Sequence, residues 1–210
     1  MGARPVQRIP GPGRDPLCRW IGLAAGRNLS RMGERLELLI AERDINARVA
    51  ALARDIDMDY RGKRLSLIVV LKGAVIFAAD LMREIETPCT FDVVSAASYG
   101  AGTRPSGAVT LTGLDGLDIA GRDVLVIEDI LDTGRTIAAI LDALQQRGPA
   151  SLALCALLRK PTAIALDLPV AYIGFDIPDE FVVGCGMDYA ERYRNLRGIH
   201  RLVFDESSAD

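Results

Sequence analysis

Histidine is nearly absent from this 210-residue chain: His200 is the only one, beside a C-terminal apolar run at Ile199–Phe204. It reads as structural, and no histidine chemistry is expected. Cysteine is sparse too. Cys18, Cys89, Cys155 and Cys185 stand far apart in the chain, which fits neither a zinc spacing nor a small disulfide framework and suits reduced thiols in the cytoplasm. There is no surplus of positive charge: 25 Lys and Arg face 28 Asp and Glu, a net charge of −3. That argues against a general nucleic-acid-binding surface. No uncharged apolar stretch approaches membrane-spanning length, so no membrane association is expected. What is present is ordinary globular composition, half apolar and a quarter charged, at a length that suits one α/β domain with a substantial core.

The segment 1–33 differs from the rest. It holds six Arg, four Pro and one acid, Asp15, with Ser30 as its only serine. A transit peptide would be Arg-rich but also Ser-rich and not Pro-rich. The expectation is a disordered extension, or sequence upstream of a start at Met32.

Beyond it, apolar periodicity predicts alternating helices and strands. Ile45, Val49, Leu52 and Ile56 recur at helical spacing and predict an amphipathic helix over 44–60. Leu65–Leu71 is a compact apolar run fit for a buried parallel strand. A helix with Phe77, Leu81 and Ile85 on one face should follow Gly73 and end before Pro88. Strands are expected at Phe91–Ala97, from Val109 to Gly113, at Ser151–Leu158, Val170–Phe175, Phe181–Val183 and Ile199–Phe204. Residues 98–107 carry three glycines and a proline and read as a mobile loop. Ile137, Ile140, Leu141 and Leu144 define a helix stopped by Gly148-Pro149. Alternating strands and helices imply a mostly parallel sheet with helices on both faces, whose ligands sit beyond the carboxyl ends of the strands.

The most informative stretch is Val124-Leu-Val-Ile-Glu-Asp-Ile-Leu-Asp-Thr-Gly-Arg-Thr136. Four apolar residues run into Glu128, Asp129 and Asp132, then turn through Thr133 and Gly134 into an amphipathic run. A helix N-terminus carries free N–H groups and the positive end of the helix dipole, so it can hold a phosphate. Carboxylates beside it can grip sugar hydroxyls or a cation. The combination points to a phosphorylated sugar. No Gly-x4-Gly-Lys-(Ser/Thr) loop occurs, and Asp129 and Asp132 are spaced too widely for an Asp-x-Asp phosphatase pair.

This stretch resembles the phosphoribosyl-diphosphate (PRPP) signature of the type I phosphoribosyltransferases. Further strings, in order, extend the likeness from about Leu38 to Glu206: Leu71-Lys72-Gly73, Ser98-Tyr99-Gly100, Arg159-Lys160-Pro161, and Ile177-Pro178-Asp179-Glu180-Phe181-Val182-Val183-Gly184 running on to Asp188-Tyr189 and Arg194. Together they are similar to the hypoxanthine-guanine, or 6-oxopurine, branch. The resemblance implies the type I phosphoribosyltransferase fold: a central, mostly parallel sheet flanked by helices, with a small hood. The phosphoribosyltransferase domain would span 34–210, its core roughly 44–175 and its hood the flanking segments.

The implied reaction is purine salvage, in which the 5-phosphoribosyl group passes from PRPP to hypoxanthine or guanine, giving IMP or GMP and pyrophosphate. The implied cofactor is Mg²⁺, and the implied assembly a homodimer or homotetramer.

By the same resemblance, Asp132 is the general base toward the purine. Asp132, Thr133, Gly134, Arg135 and Thr136 wrap the 5′-phosphate, with Arg135 at the variable position of the motif. Glu128 and Asp129 take the ribose hydroxyls. Lys72, Gly73, Ser98, Tyr99 and Arg194 serve pyrophosphate, with a cis peptide often preceding that lysine. Lys160, Phe181, Val182 and Asp188 serve the purine, and Glu128, Asp129 and Asp188 the metal. An ammonium offers donors only, so Lys160 would accept a 6-oxo and repel a 6-amino group. Asp188 also fits a helix N-cap before Tyr189-Ala190-Glu191. Cys185 stands where many members of the branch carry Tyr, which would alter packing beside the base. A xanthine-preferring enzyme is the nearest alternative. A PRPP-sensing, nucleic-acid-binding regulator is a weaker one, because the base and leaving-group residues are all present.

Overall fold

The computed structural model of the chain describes residues 34–98, 109–163, 166 and 168–204. The N-terminal extension, Tyr99 and almost all of the glycine-rich 98–107 segment lie outside the described residues.

A six-stranded sheet forms the centre, in the order β4-β3-β2-β5-β6-β7. These are β2 (Leu65–Leu71), β3 (Cys89–Ser98), β4 (Val109–Thr112), β5 (Asp123–Leu131), β6 (Ser151–Arg159) and β7 (Val170–Asp176). All neighbours run parallel except β3 and β4. The reason is visible in side-chain alternation. In β2, Leu67 and Val69 face one layer, while Ile68 and Val70 face the other, and all four are buried. A strand buried on both faces needs apolar residues at successive positions, which the compact runs supply. Helices α1 (Glu42–Asp59) and α2 (Val75–Glu84) cover the first face with Ile45, Val49, Leu52, Ile56, Phe77 and Leu81. Helix α3 (Arg135–Gln145) covers the second with Ile137, Ile140, Leu141 and Leu144. Among the described residues no helix is long and apolar enough to cross a membrane.

Element boundaries differ from the sequence expectation by a few residues. Ile85 lies just past α2 in extended conformation and still packs on the core. One strand has no counterpart among the sequence expectations. β1 (Glu34–Ile40) pairs antiparallel with β9 (Ile199–Phe204), which pairs with β8 (Val182–Val183), in a separate three-stranded sheet. Arg201, on the central strand β9, bridges to acids on either side. It reaches Glu37 on β1, and its Nη1 donates to Glu180 Oε1 at 2.9 Å.

Sequence order reverses between β2 and β5: the chain proceeds from β2 to β3 on one side and later places β5 on the other. In open α/β sheets such a switch point leaves a crevice at the carboxyl ends of the strands. Lys72 and Gly73 leave β2 there. Asp132 to Gly134 leave β5, and Lys160 leaves β6.

Candidate active site

Two adjoining cavities occupy that crevice. The larger, about 320 Å³, is lined by Lys72, Gly73, Asp129, Asp132, Lys160, Phe181, Val182, Asp188 and Arg194, together with Ile130, Glu180 and Met187. The smaller, about 170 Å³, is lined by Glu128, Asp132, Thr133, Gly134 and Thr136, with Ile130, Leu131 and Ile137 behind. Asp132 belongs to both and marks where they meet.

The smaller cavity is the start of a helix. Gly134 is the N-cap of α3 in left-handed conformation (φ 78°), with no side-chain cap. A residue with a Cβ would be strained there and would come within 3.0 Å of Leu168 Cδ1; the first N–H groups of a helix have no partner within it. Thr133 and Thr136 bring hydroxyls. Arg135 is exposed and does not line this cavity. Backbone and hydroxyl donors from one turn, together with the helix dipole, suit a phosphate dianion.

In the larger cavity, three segments converge on one carboxylate. An ideal Cβ on Gly73 would stand 2.6 Å from Asp129 Cγ and closer still to its Oδ2, so glycine is what lets the β2 loop lie against Asp129. The Leu71–Lys72 peptide is cis. Gly186 in turn packs on the Gly73 carbonyl with φ 97°, bringing the loop after β8 against the loop after β2. Asp129 Oδ1 accepts the Ile130 N–H at 2.9 Å. Glu128 and Asp129 are adjacent, partly buried acids, and both carboxyls are pushed above their ordinary range. Desolvation is the main cause in each. For Glu128 the Asp129 charge adds to it; for Asp129 the hydrogen bond from Glu128, its local N–H bonds and the Arg194 charge oppose it. Such a pair is poised for a cation or for hydroxyl donors.

Arg194 lines the same cavity. Its Nη1 donates to the Gly186 carbonyl at 2.9 Å, and its Nη2 stands 2.8 Å from Asp188 Oδ1. Its Nε is buried with no hydrogen-bond partner among the described residues. Asp188 Oδ2 accepts the Glu191 N–H at 2.8 Å. The expected capping geometry is therefore present, but no helix follows it. Ala190, Glu191 and Tyr193 all have positive φ, and the segment folds as a succession of tight turns.

Among the described residues, Lys160 is one of two buried polar side chains, at 8% exposure. Its ammonium lies 3.0 Å from Asp179 Oδ1 and 3.4 Å from Asp132 Oδ2. Phe181, just before β8, is 49% exposed on the cavity wall and meets Tyr189 edge-on at 5.7 Å. A half-exposed ring braced at its edge offers a face for stacking. Val182 backs it and is buried.

Every expected site residue whose side chain is described lines one of these two cavities except Arg135. Ser98 closes β3. Cys185 lines not the 320 Å³ cavity but a neighbouring one of about 380 Å³, with Ile45, Ile76, Asp80 and Arg194. Its thiol is buried and pushed up to about 12, chiefly by that burial and then by the charges of Asp80 and Asp129. It is a packing residue, not a nucleophile. Asp179, Glu180 and Glu191 are site residues that the sequence reading does not single out. Asp179 and Glu180 sit inside the string Ile177–Gly184, which was the available signal.

Comparison with known proteins shows the family. The family model described as a phosphoribosyl transferase domain matches residues 39–190. A hypoxanthine-guanine phosphoribosyltransferase of Mycobacterium avium is 47% identical over 176 residues, covering 81% of this chain and 87% of the relative. A hypoxanthine phosphoribosyltransferase of Escherichia coli K12 is 42% identical over 174 residues, covering 82% and 98%. Among solved structures, a hypoxanthine-guanine phosphoribosyltransferase from Bacillus anthracis superposes with a TM-score of 0.74 at 41% identity, covering 80% of this chain and 96% of the other. The chain belongs to the phosphoribosyltransferase family, in its hypoxanthine-guanine group. It is an enzyme, and the reaction of its family is transfer of a phosphoribosyl group from PRPP to a base.

Proposed function

We propose that the chain carries out purine salvage, joining hypoxanthine or guanine to the phosphoribosyl group of PRPP and releasing pyrophosphate. The observation that carries the choice of base is Lys160. A buried ammonium, held between two carboxylates beside a half-exposed phenyl ring, meets a purine edge with donors only. A 6-oxo group accepts from it; a 6-amino group does not.

The remaining residues divide the work. The α3 N-terminus with Thr133, Gly134 and Thr136 holds the 5′-phosphate, with Arg135 supplying backbone alone. Glu128 and Asp129 face the ribose hydroxyls. Lys72 and Arg194 balance the charge that grows on pyrophosphate as the C1–O bond breaks and the C1–N9 bond forms. Gly73 keeps the loop close, and Ser98 and Tyr99 serve pyrophosphate by resemblance to the family, Tyr99 lying outside the described residues. Asp132, where the two cavities meet, takes the purine N7 proton. Phe181 stacks on the base and Val182 offers backbone groups to its edge.

Mg²⁺ fits the donor set. Two partly buried carboxylates with raised proton affinity are hard oxygen ligands for which a divalent cation would compete. When bound, the ion neutralises charge on the diphosphate. Among the described residues no three acidic, His or Cys side chains form a ready-made cage. Glu128, Asp129 and Asp188 would therefore supply only part of the shell, and substrate oxygens and water the rest. We take residues 34–210 as one functional unit, with the three-stranded sheet as its hood over the base. The same reading implies a homodimer or homotetramer, and a cytoplasmic location that suits the free thiols Cys89, Cys155 and Cys185.

The test is steady-state assay of the purified protein with Mg²⁺, PRPP and each of hypoxanthine, guanine, xanthine and adenine. Turnover of hypoxanthine or guanine well above adenine is expected. Absence of turnover with any 6-oxopurine overturns the reading, and a strong preference for xanthine replaces the base.

A further inference from the structure

We propose that Asp179 is a positioning residue for base recognition: it anchors the Lys160 ammonium so that the lysine stays aimed at the purine and Asp132 stays free to accept a proton. The inference rests on the function proposed above for Lys160 and Asp132.

The Lys160 side chain is 10% exposed, and a cation so enclosed needs compensating charge. Among the described residues it has two carboxylate partners, Asp179 at 3.0 Å and Asp132 at 3.4 Å. They are not equivalent. Asp132 is the residue placed to take up a proton during turnover, and on doing so it loses the charge that would hold the lysine. If it were the sole partner, the ammonium would lose its anchor at the moment the purine is being committed. It would also occupy the oxygens that must reach the purine proton. Asp179 has neither conflict. Its carboxylate is the nearer of the two and takes no part in the proton transfer.

Backbone hydrogen bonds place Asp179 beside the lysine. The Ile177 N–H donates to the Arg159 carbonyl at 2.9 Å, tying the segment to the end of β6 from which Lys160 emerges. The Glu180 N–H donates to the Pro178 carbonyl at 2.8 Å, closing a tight turn around Asp179. Immediately afterwards the same segment presents Phe181. One short turn thus sets both the ring that would stack on the base and the anion that aims its polar contact.

The experiment compares Asp179→Ala, Asp179→Asn and Asp179→Glu with the wild type and with Lys160→Ala, measuring KM and kcat separately for hypoxanthine, adenine and PRPP. Asp179→Ala should raise KM for hypoxanthine roughly tenfold, the scale expected when one partly exposed charge-assisted bond is lost. KM for PRPP should stay unchanged and the preference for hypoxanthine over adenine should narrow. Asp179→Asn, whose amide oxygen still accepts from the ammonium, should fall between, and Asp179→Glu should recover part of the loss. An unchanged KM for hypoxanthine in Asp179→Ala overturns the inference, as does an equal rise in both KM values with no recovery in Asp179→Glu, which is the mark of a merely structural role. The two readings fail separately. If Lys160→Ala weakens hypoxanthine and Asp179→Ala does not, only the anchor is wrong. If the wild type turns over no 6-oxopurine, the function falls and the anchor with it.

Discussion

Gly73→Ala should disable the enzyme while leaving it folded. The backbone of Gly73 is not in the left-handed region, so alanine meets no conformational penalty there, and the effect is one of space alone. The new methyl would stand 2.6 Å from Asp129 Cγ and overlap Oδ2, where ordinary contact begins beyond 3.4 Å. Either the carboxylate retreats by roughly an ångström or the Lys72–Gly73 loop lifts; misplacements of that size at a reacting centre cost about a hundredfold in rate. Both movements are resisted. Asp129 Oδ1 is held by the Ile130 N–H at 2.9 Å, and the Gly73 carbonyl is packed against Gly186. Overpacking of this kind costs about 1–3 kcal/mol of stability, or a few degrees in Tm for a chain of this size. The assay is kcat/KM for PRPP beside a thermal melt. Gly62→Ala is the control. Gly62 has φ 75° and open space around it, so alanine there is strained without touching anything. It should lower Tm by a similar amount and leave activity intact. A Gly73→Ala enzyme with wild-type kcat/KM, or an equal loss of activity in Gly62→Ala, refutes the spatial argument.

Three other outcomes follow from the same geometry. Glu191 bridges the two cations assigned to pyrophosphate, with Oε1 3.1 Å from Lys72 Nζ and Oε2 3.2 Å from Arg194 Nη2. Glu191→Ala should therefore tighten pyrophosphate binding severalfold by calorimetry, less so at high salt; weaker binding would mean that Glu191 supports the cations instead of competing for them. Glu128 is raised above its ordinary 4.5 by desolvation first, then by the Asp129 charge and hydrogen bond. A carboxyl with raised affinity for its proton stabilises the fold below its unfolded value and loses that contribution as pH rises through the folded one. In chelator, Glu128→Gln should thus melt higher than wild type at about pH 8, with the gain gone by about pH 4; no gain at the higher pH counts against the desolvation argument. Cys185→Tyr should leave KM for hypoxanthine unchanged, since the residue lines the neighbouring cavity and not the base-sized one; a raised value would return it to the base.

The parts of this molecule that were legible in the sequence share a physical property: their chemistry is written in consecutive residues. A strand buried on both faces must be apolar throughout, so Leu65–Leu71 and Val124–Ile127 announce themselves. A phosphate cradle is one strand, one turn and one helix start, so Glu128 to Thr136 can be read as a unit. β1 could not be read in that way. It is an antiparallel edge strand, with Glu34, Arg35 and Glu37 in it and Leu38 62% exposed, and its pairing partner β9 comes from the opposite end of the described chain. The family resemblance sets Cys185 where many members carry Tyr, beside the base. It lines the neighbouring cavity instead, with φ 48° between two positive-φ glycines, Gly184 and Gly186. Glu191 was not marked by any motif, and Asp179 lay inside one with no role attached, for a related reason. Each is an acid in a charged, exposed stretch, and each gains its meaning only from a cation brought to it by the fold: Lys160 from the end of β6, Lys72 from the end of β2. The residues proposed to contact substrates lie in motifs because each chain segment would have to present several of them at once. The anions that aim those residues come from other segments, and their assignment depends on knowing how the segments meet. The Asp179 variants test whether those anions matter to catalysis as much as the motif residues they hold.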